Sequence, residues 1–107
     1  MSFLSHLINL KELRLQFDSF VGSLEPLKGL SKLKYLNISH NNLDRGLEYL
    51  PNNLEEFLCR SNKFTDTLSF INGLNKEKLR ILSVCDNGLS GDLVPLKSFV
   101  NLEKLHL

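Results

Sequence analysis

Apolar residues recur along the chain in a short block with fixed internal spacing. The segment 33–43, LKYLNISHNNL, shows the block most clearly, with apolar side chains at relative positions 1, 4, 6 and 11 and an asparagine at position 9. Alternation around positions 4 and 6 predicts a short strand over positions 3 to 7, in which positions 4 and 6 point into a core and positions 3, 5 and 7 point out. The polar residues that follow predict a tight turn.

The block is repeated through the whole chain. It starts at Leu10, Leu33, Leu54, Leu79 and Leu102. These starts are 23, 21, 25 and 23 residues apart, and the fifth block is still incomplete at Leu107. Repetition at this period predicts parallel strands, each paired with the strand of the next turn. Residues 1–9 are interpreted as the end of a preceding repeat or as an N-terminal cap.

The segments between the blocks return the chain to the start of the next strand. Two of them, 22–33 (GSLEPLKGLSKL) and 91–102 (GDLVPLKSFVNL), carry Gly, Leu, Pro, Leu and Lys at the same offsets. In both, apolar residues spaced by three follow the proline, which predicts a turn or two of helix. Parallel strands joined by right-handed crossovers coil into a right-handed solenoid.

Reduced to LxxLxLxxNxL, the block resembles the leucine-rich repeat, and LSGDLVPLKSF resembles its plant-type variant with irregular lengths. The resemblance implies one α/β domain over 1–107, a short horseshoe with about five parallel strands on the concave face and short helices or turns on the convex face. The incomplete fifth block is typical of a piece of a longer array.

The resemblance also implies a function. It favours a non-catalytic module that binds a protein or peptide partner on the concave face. The alternative is a substrate-selecting segment of a larger signalling or ubiquitin-ligase adaptor protein. The alternative rests on fold-level analogy alone, and the repeat skeleton does not define a partner.

The residue at position 9 is interpreted as structural. An asparagine amide both donates and accepts, so it can bond to backbone groups left unpaired where the chain turns inward. The position is held by Asp18, Asn41, Asn62 and Asn87. Because an ionised carboxylate only accepts, the contact at Asp18 is expected to be weaker or partly solvated.

The outward positions of the strands form the predicted partner-binding surface. Tyr35, Leu58 and Ile81 are expected to make an apolar band flanked by Arg14 and Arg60, which are side chains that interface cores favour. The predicted surface comprises Glu12, Arg14, Gln16, Tyr35, Asn37, Ser39, His40, Glu56, Leu58, Arg60, Ile81, Ser83 and Cys85.

The sequence offers no catalytic, metal or cofactor site. The three histidines fall at different positions of different repeats, and neither cysteine has ligand spacing with them. Cys59 is predicted to point inward and Cys85 outward, which excludes a disulfide between them. No base is placed beside Cys85. The run 86–92, DNGLSGD, lacks the alternating acids and distal glutamate of a calcium loop.

Charge and composition argue against nucleic acid and membranes as partners. The chain has 107 residues and a formal net charge of +1, so no long-range field would attract nucleic acid or an anionic membrane. No stretch approaches the roughly 18 apolar residues of a membrane span, and the N-terminus lacks the basic region and cleavage site of a signal peptide. Two cysteines make no disulfide framework. These features favour a cytoplasmic, or alternatively nuclear, protein.

The ends of the predicted solenoid carry apolar residues. Terminal repeats normally need polar caps, whereas the last strand here ends at Leu107 and the N-terminal segment contains Phe3, Leu4 and Ile8. We therefore expect marginal stability, or self-association through the C-terminal edge of the sheet.

Overall fold

A computed structural model describes residues 2–107. Its strands are β1 (Glu12–Arg14), β2 (Val21–Ser23), β3 (Tyr35–Asn37), β4 (Asn42–Arg45), β5 (Glu56–Leu58), β6 (Ile81–Ser83) and β7 (Lys104–His106). Its helices, all of the 3₁₀ type, are Ser2–His6, Glu25–Leu27, Leu47–Tyr49, Leu68–Gly73 and Val94–Ser98.

The predicted five-stranded parallel sheet is confirmed. Its strand order is β1-β3-β5-β6-β7, and each strand pairs in register with the same motif positions of its neighbour. The strands span positions 3 to 5, but backbone hydrogen bonds between repeats continue beyond them. The Leu15 N–H donates to the Asn37 carbonyl at 2.8 Å, and the Phe17 N–H donates to the Ser39 carbonyl at 3.1 Å.

A second, smaller row of parallel pairing follows the turns after the main strands. β2 and β4 form a two-stranded sheet, with Val21 beside Asn42. An isolated bridge joins Thr67 and Ser90 in the next two repeats. The sequence does not predict this row, because these segments lack the alternation that marks a half-buried strand.

The convex face is built from 3₁₀ helices, so the predicted short helices or turns are confirmed. Pro26 and Pro95 each lie in the first turn of such a helix. The side-chain spacing explains the helix type. A 3₁₀ helix has three residues per turn, so residues spaced by three lie on one face. The buried residues Leu24, Leu27, Leu30 and Leu33 have this spacing.

The core runs along the solenoid between the main sheet and the 3₁₀ helices. Motif positions 4 and 6 supply it from the sheet, and Phe57 packs edge-on against Phe70 with ring centroids 6.2 Å apart. The two ends differ in exposure. Leu13 of β1 is buried and Leu4 lies in the core, whereas Leu105 and Leu107 are exposed. None of the helices in residues 2–107 has the length and apolar composition needed to cross a bilayer.

Candidate functional site

The side chain of Asn41 joins two neighbouring repeats. Its Nδ2 donates to the carbonyl of Leu15 in the preceding repeat at 2.9 Å and to that of Ile38 in its own repeat at 3.0 Å. Its Oδ1 accepts the N–H groups of Asp18 and Phe20 at 3.2 and 2.9 Å. One buried amide therefore satisfies backbone groups on both sides of a repeat boundary.

Asn62 and Asn87 repeat this arrangement. The Asn62 Nδ2 donates to the Ile38 carbonyl at 2.9 Å, and the Asn87 Nδ2 donates to the Cys59 carbonyl at 2.8 Å. Asp18 holds the same position but differs. Its carboxylate is exposed and makes no hydrogen bond or ion pair with any residue of 2–107, and only its backbone N–H takes part. The boundary after the first repeat is closed by Asn41.

The apolar side chains of the predicted binding surface lie on neighbouring strands, but the band is not straight. Tyr35, Leu58 and Ile81 are all half-buried. The strand register places Glu56 between Tyr35 and Ile81, so Leu58 is a diagonal neighbour of both. Diagonal neighbours on a sheet face remain within reach of long side chains. The three residues thus form a zigzag over β3, β5 and β6.

Two members of the predicted surface are buried, and the prediction that they are displayed is wrong. Ser39 is 4% exposed and its Oγ accepts the Arg60 N–H at 3.1 Å. Ser83 is 1% exposed, because it lies between the longer side chains of Leu58 and His106. The Ser83 hydroxyl has no hydrogen-bond partner among residues 2–107.

The charged members of the predicted surface are arranged unevenly. Glu12 and Arg14 are exposed and form an ion pair at 2.9 Å. Arg60 is also exposed and pairs with no carboxylate of residues 2–107. The guanidinium of Arg60, beside the zigzag, is therefore available to bind an acceptor group of a partner. Gln16, Asn37, Glu56 and Cys85 are half-buried, and His40 is exposed.

Sequence reasoning missed the backbone conformation at motif position 8. The residues there have φ values between 56° and 64°, in the left-handed region. They are Phe17, His40, Ser61 and Asp86. Asn, Asp and His tolerate this region better than other side chains, so the residue types at position 8 carried a weak signal.

The side chains at position 8 pair across repeats along one edge of the sheet. The rings of Phe17 and His40 are stacked, with centroids 4.3 Å apart and planes inclined by 6°. The Ser61 hydroxyl donates to the Asp86 Oδ2 at 2.7 Å. The row therefore has an aromatic half and a polar half.

An ion pair joins two repeats at the opposite edge of the main sheet, just before β6 and β7 begin. The guanidinium of Arg80 donates to the carboxylate of Glu103 in the next repeat. This hydrogen bond, reinforced by the opposite charges, lowers the pKa of Glu103 and raises the pKa of Arg80. Among residues 2–107, no group of three or more His, Cys, Asp or Glu side chains is placed to hold a metal ion.

The two thiols differ in their environment. Both are free, Cys59 is buried at motif position 6, and Cys85 is half-buried on the sheet face. Burial raises the pKa of Cys59, and the neighbouring Cys85 raises it further. The thiolate is the reactive form of cysteine. Cys59 is therefore expected to react slowly, because reagents cannot reach it and because its thiol stays protonated.

We expect a colorimetric thiol reagent to titrate one cysteine in the folded protein, Cys85, and both cysteines after unfolding in urea. The Cys85→Ser variant provides the control, since its remaining thiol is expected to react only in urea. Two equivalents reacting at the same rate in the folded protein would contradict the burial of Cys59.

Comparison with known proteins agrees with this geometry. A family model described as leucine-rich repeats, two copies, matches residues 8–52. The crystal structure of internalin C2 from Listeria monocytogenes superposes on the whole of this chain with a TM-score of 0.83 and 29% sequence identity. The chain therefore has the fold of a leucine-rich-repeat solenoid. A search of curated proteins found no match.

The leucine-rich repeat is a general protein–protein interaction fold, and its members are typically non-catalytic. In such a repeat, the leucines and the position 9 asparagine build the scaffold, and the remaining strand positions face outward. The chain spans 46% of the length of the internalin C2 chain that it matches.

Proposed function

We propose that this leucine-rich-repeat chain is a non-catalytic module that binds a protein or peptide on its concave sheet face. The observation that carries the proposal is the zigzag of Tyr35, Leu58 and Ile81, three half-buried apolar side chains on adjacent strands. Contiguous apolar groups on a surface mark interaction sites, whereas isolated ones are normal.

The surroundings of the zigzag suit a protein ligand. The unpaired Arg60 lies two residues beyond Leu58, just past the end of β5, and supplies donors for a carboxylate or a backbone carbonyl of the partner. Arginine and tyrosine side chains dominate the energetics of many interfaces. Five strands of three residues each offer fewer contacts than the roughly 20–30 residues a side of a stable interface, so a peptide or short segment is the better-sized ligand.

We expect Leu58→Glu to abolish partner capture by the immobilised chain, because it places a charge in the centre of the apolar zigzag. Capture from cell extract, read by mass spectrometry, would measure the effect. Val100→Glu is the matched control, since Val100 is 76% exposed in the turn that precedes β7, away from the zigzag. Arg60→Glu provides a second test that buries no charge, because Arg60 is exposed.

Circular dichroism of each variant would establish that it folds. Loss of the same proteins with Leu58→Glu and Arg60→Glu, and their retention with Val100→Glu, would support the sheet face as the binding surface. An unchanged set of captured proteins with folded Leu58→Glu and Arg60→Glu would refute it.

Two wider interpretations stay predictions. A substrate-selecting role within a larger signalling or ubiquitin-ligase adaptor would use the same sheet face. Self-association would use the C-terminal edge, where β7 is paired on one side only and Leu105 and Leu107 are exposed.

A further inference from the structure

Phe17 stands out on the edge of the sheet. The residue is 71% exposed and its φ is +64°. A bulky residue is rare in the left-handed region, where any residue other than glycine is strained. The fold requires this backbone conformation at position 8 of every repeat, but it does not require an aromatic ring there, since Ser61 and Asp86 hold the same position.

The ring of Phe17 is held in place from one side. It stacks on His40 with centroids 4.3 Å apart and nearly parallel planes. Because Phe17 as a whole residue remains 71% exposed despite this stack, we take the other face of its ring to be open to solvent. The pair therefore presents a flat aromatic surface whose orientation is fixed by the neighbouring repeat.

The turn segments that follow the main strands carry more acidic than basic side chains. The segments that follow the main strands, 17–23, 40–46, 61–67 and 86–92, contain five aspartates against two basic residues, Arg45 and Lys63. Arg45 is already paired with Asp44 at 2.8 Å. Asp18 directly follows Phe17 and is exposed, and its carboxylate makes no hydrogen bond or ion pair within residues 2–107. An open aromatic face next to an unpaired carboxylate is a combination that attracts a cation.

We propose that Phe17, supported by His40, and Asp18 form a docking site for an arginine side chain of the bound peptide. A guanidinium is planar, so it stacks on the ring while its edge donates to the carboxylate. A lysine ammonium is a compact charge without the flat surface, and an acidic side chain would be repelled by the Asp18 carboxylate. The site lies at position 8, next to the outward positions of β1 and β3, so it adds one partner side chain to the proposed sheet-face function and rests on it.

The test uses N-acetyl-arginine methylamide as the probe and backbone and side-chain NMR of the full chain as the readout. We expect the probe to shift the resonances of Phe17, Asp18 and His40 in a saturable manner at millimolar concentrations. The corresponding lysine, leucine and glutamate derivatives should shift them less. The Phe17→Asn variant is expected to lower the association constant about threefold or more, the loss of an exposed cation–π contact.

Matched variants separate the site from general effects. Asparagine tolerates the left-handed region, so Phe17→Asn should fold, and Phe17→Tyr should retain the probe. Val100→Asn removes an equally exposed apolar side chain from another part of the surface and should leave binding unchanged. Equal shifts with the leucine or lysine probe, or shifts that persist in Phe17→Asn, would overturn the assignment of a guanidinium site.

The result is distinguishable from that of the partner-capture experiment. The small probe does not require Leu58, so Leu58→Glu is expected to bind it like the wild-type chain. If the probe fails while Leu58→Glu still abolishes capture, the sheet face remains the binding surface and the arginine site is wrong. If the probe binds but capture is independent of Leu58 and Arg60, the proposed sheet-face function is wrong instead.

Discussion

Replacing Asn62 by alanine is expected to lower the free energy of unfolding by about 3 kcal/mol, the upper end of the penalty for orphaned buried polar groups. The Asn62 amide donates to the carbonyls of Ile38 and Cys59 at 2.9 and 3.2 Å and accepts the Leu43 N–H at 3.1 Å. All of these contacts lie in the interior, where water does not replace them. Equilibrium urea unfolding followed by circular dichroism would measure the loss.

Asp18→Ala is the matched control, because it changes the same motif position at the start of the array. The Asp18 carboxylate is exposed and unbonded within residues 2–107, so its removal is expected to change the unfolding free energy by at most about 0.5 kcal/mol, as for surface substitutions. Equal losses for the two variants would show that position 9 does not stabilise the array through its amide.

The repeat motif alone predicts most of this fold. The spacing of Leu36, Ile38 and Asn41 defines which side chains point inward and where the strand must turn. Because each repeat contacts only its neighbours, assigning the motif positions in one repeat predicts the pairing of all five strands. The parallel sheet and its register therefore follow from the pattern.

Exposure on the sheet face was harder to predict. Alternation gives the direction of a side chain but not the size of its neighbours in adjacent strands. Ser39 and Ser83 are both buried, and Ser83 lies between longer residues of the neighbouring strands. The left-handed turn that stacks Phe17 on His40 was also missed, since it depends on backbone geometry at a position with no common residue type.

The second large loss of stability is expected on substitution of Gly46. Its φ is +99°, and a Cβ built there would lie 2.6 Å from the Leu24 backbone nitrogen and 2.7 Å from the Ser23 Oγ. That nitrogen donates to the Arg45 carbonyl at 3.0 Å, so the neighbouring chain cannot withdraw without loss of this hydrogen bond. Gly46 thus holds a close backbone approach at the start of the helix Leu47–Tyr49.

We expect Gly46→Ala to lower the unfolding free energy by about 2–5 kcal/mol, the sum of left-handed strain and overpacking. Gly29→Ala separates the two causes, because Gly29 has a similar φ of +89° but nothing within 4 Å of its added Cβ. That control should lose only the strain, about 1–2 kcal/mol. Because domains are stable by only about 5–15 kcal/mol, the difference should be clear in urea midpoints. Equal losses for both alanines would mean that the contact with Leu24 relaxes freely.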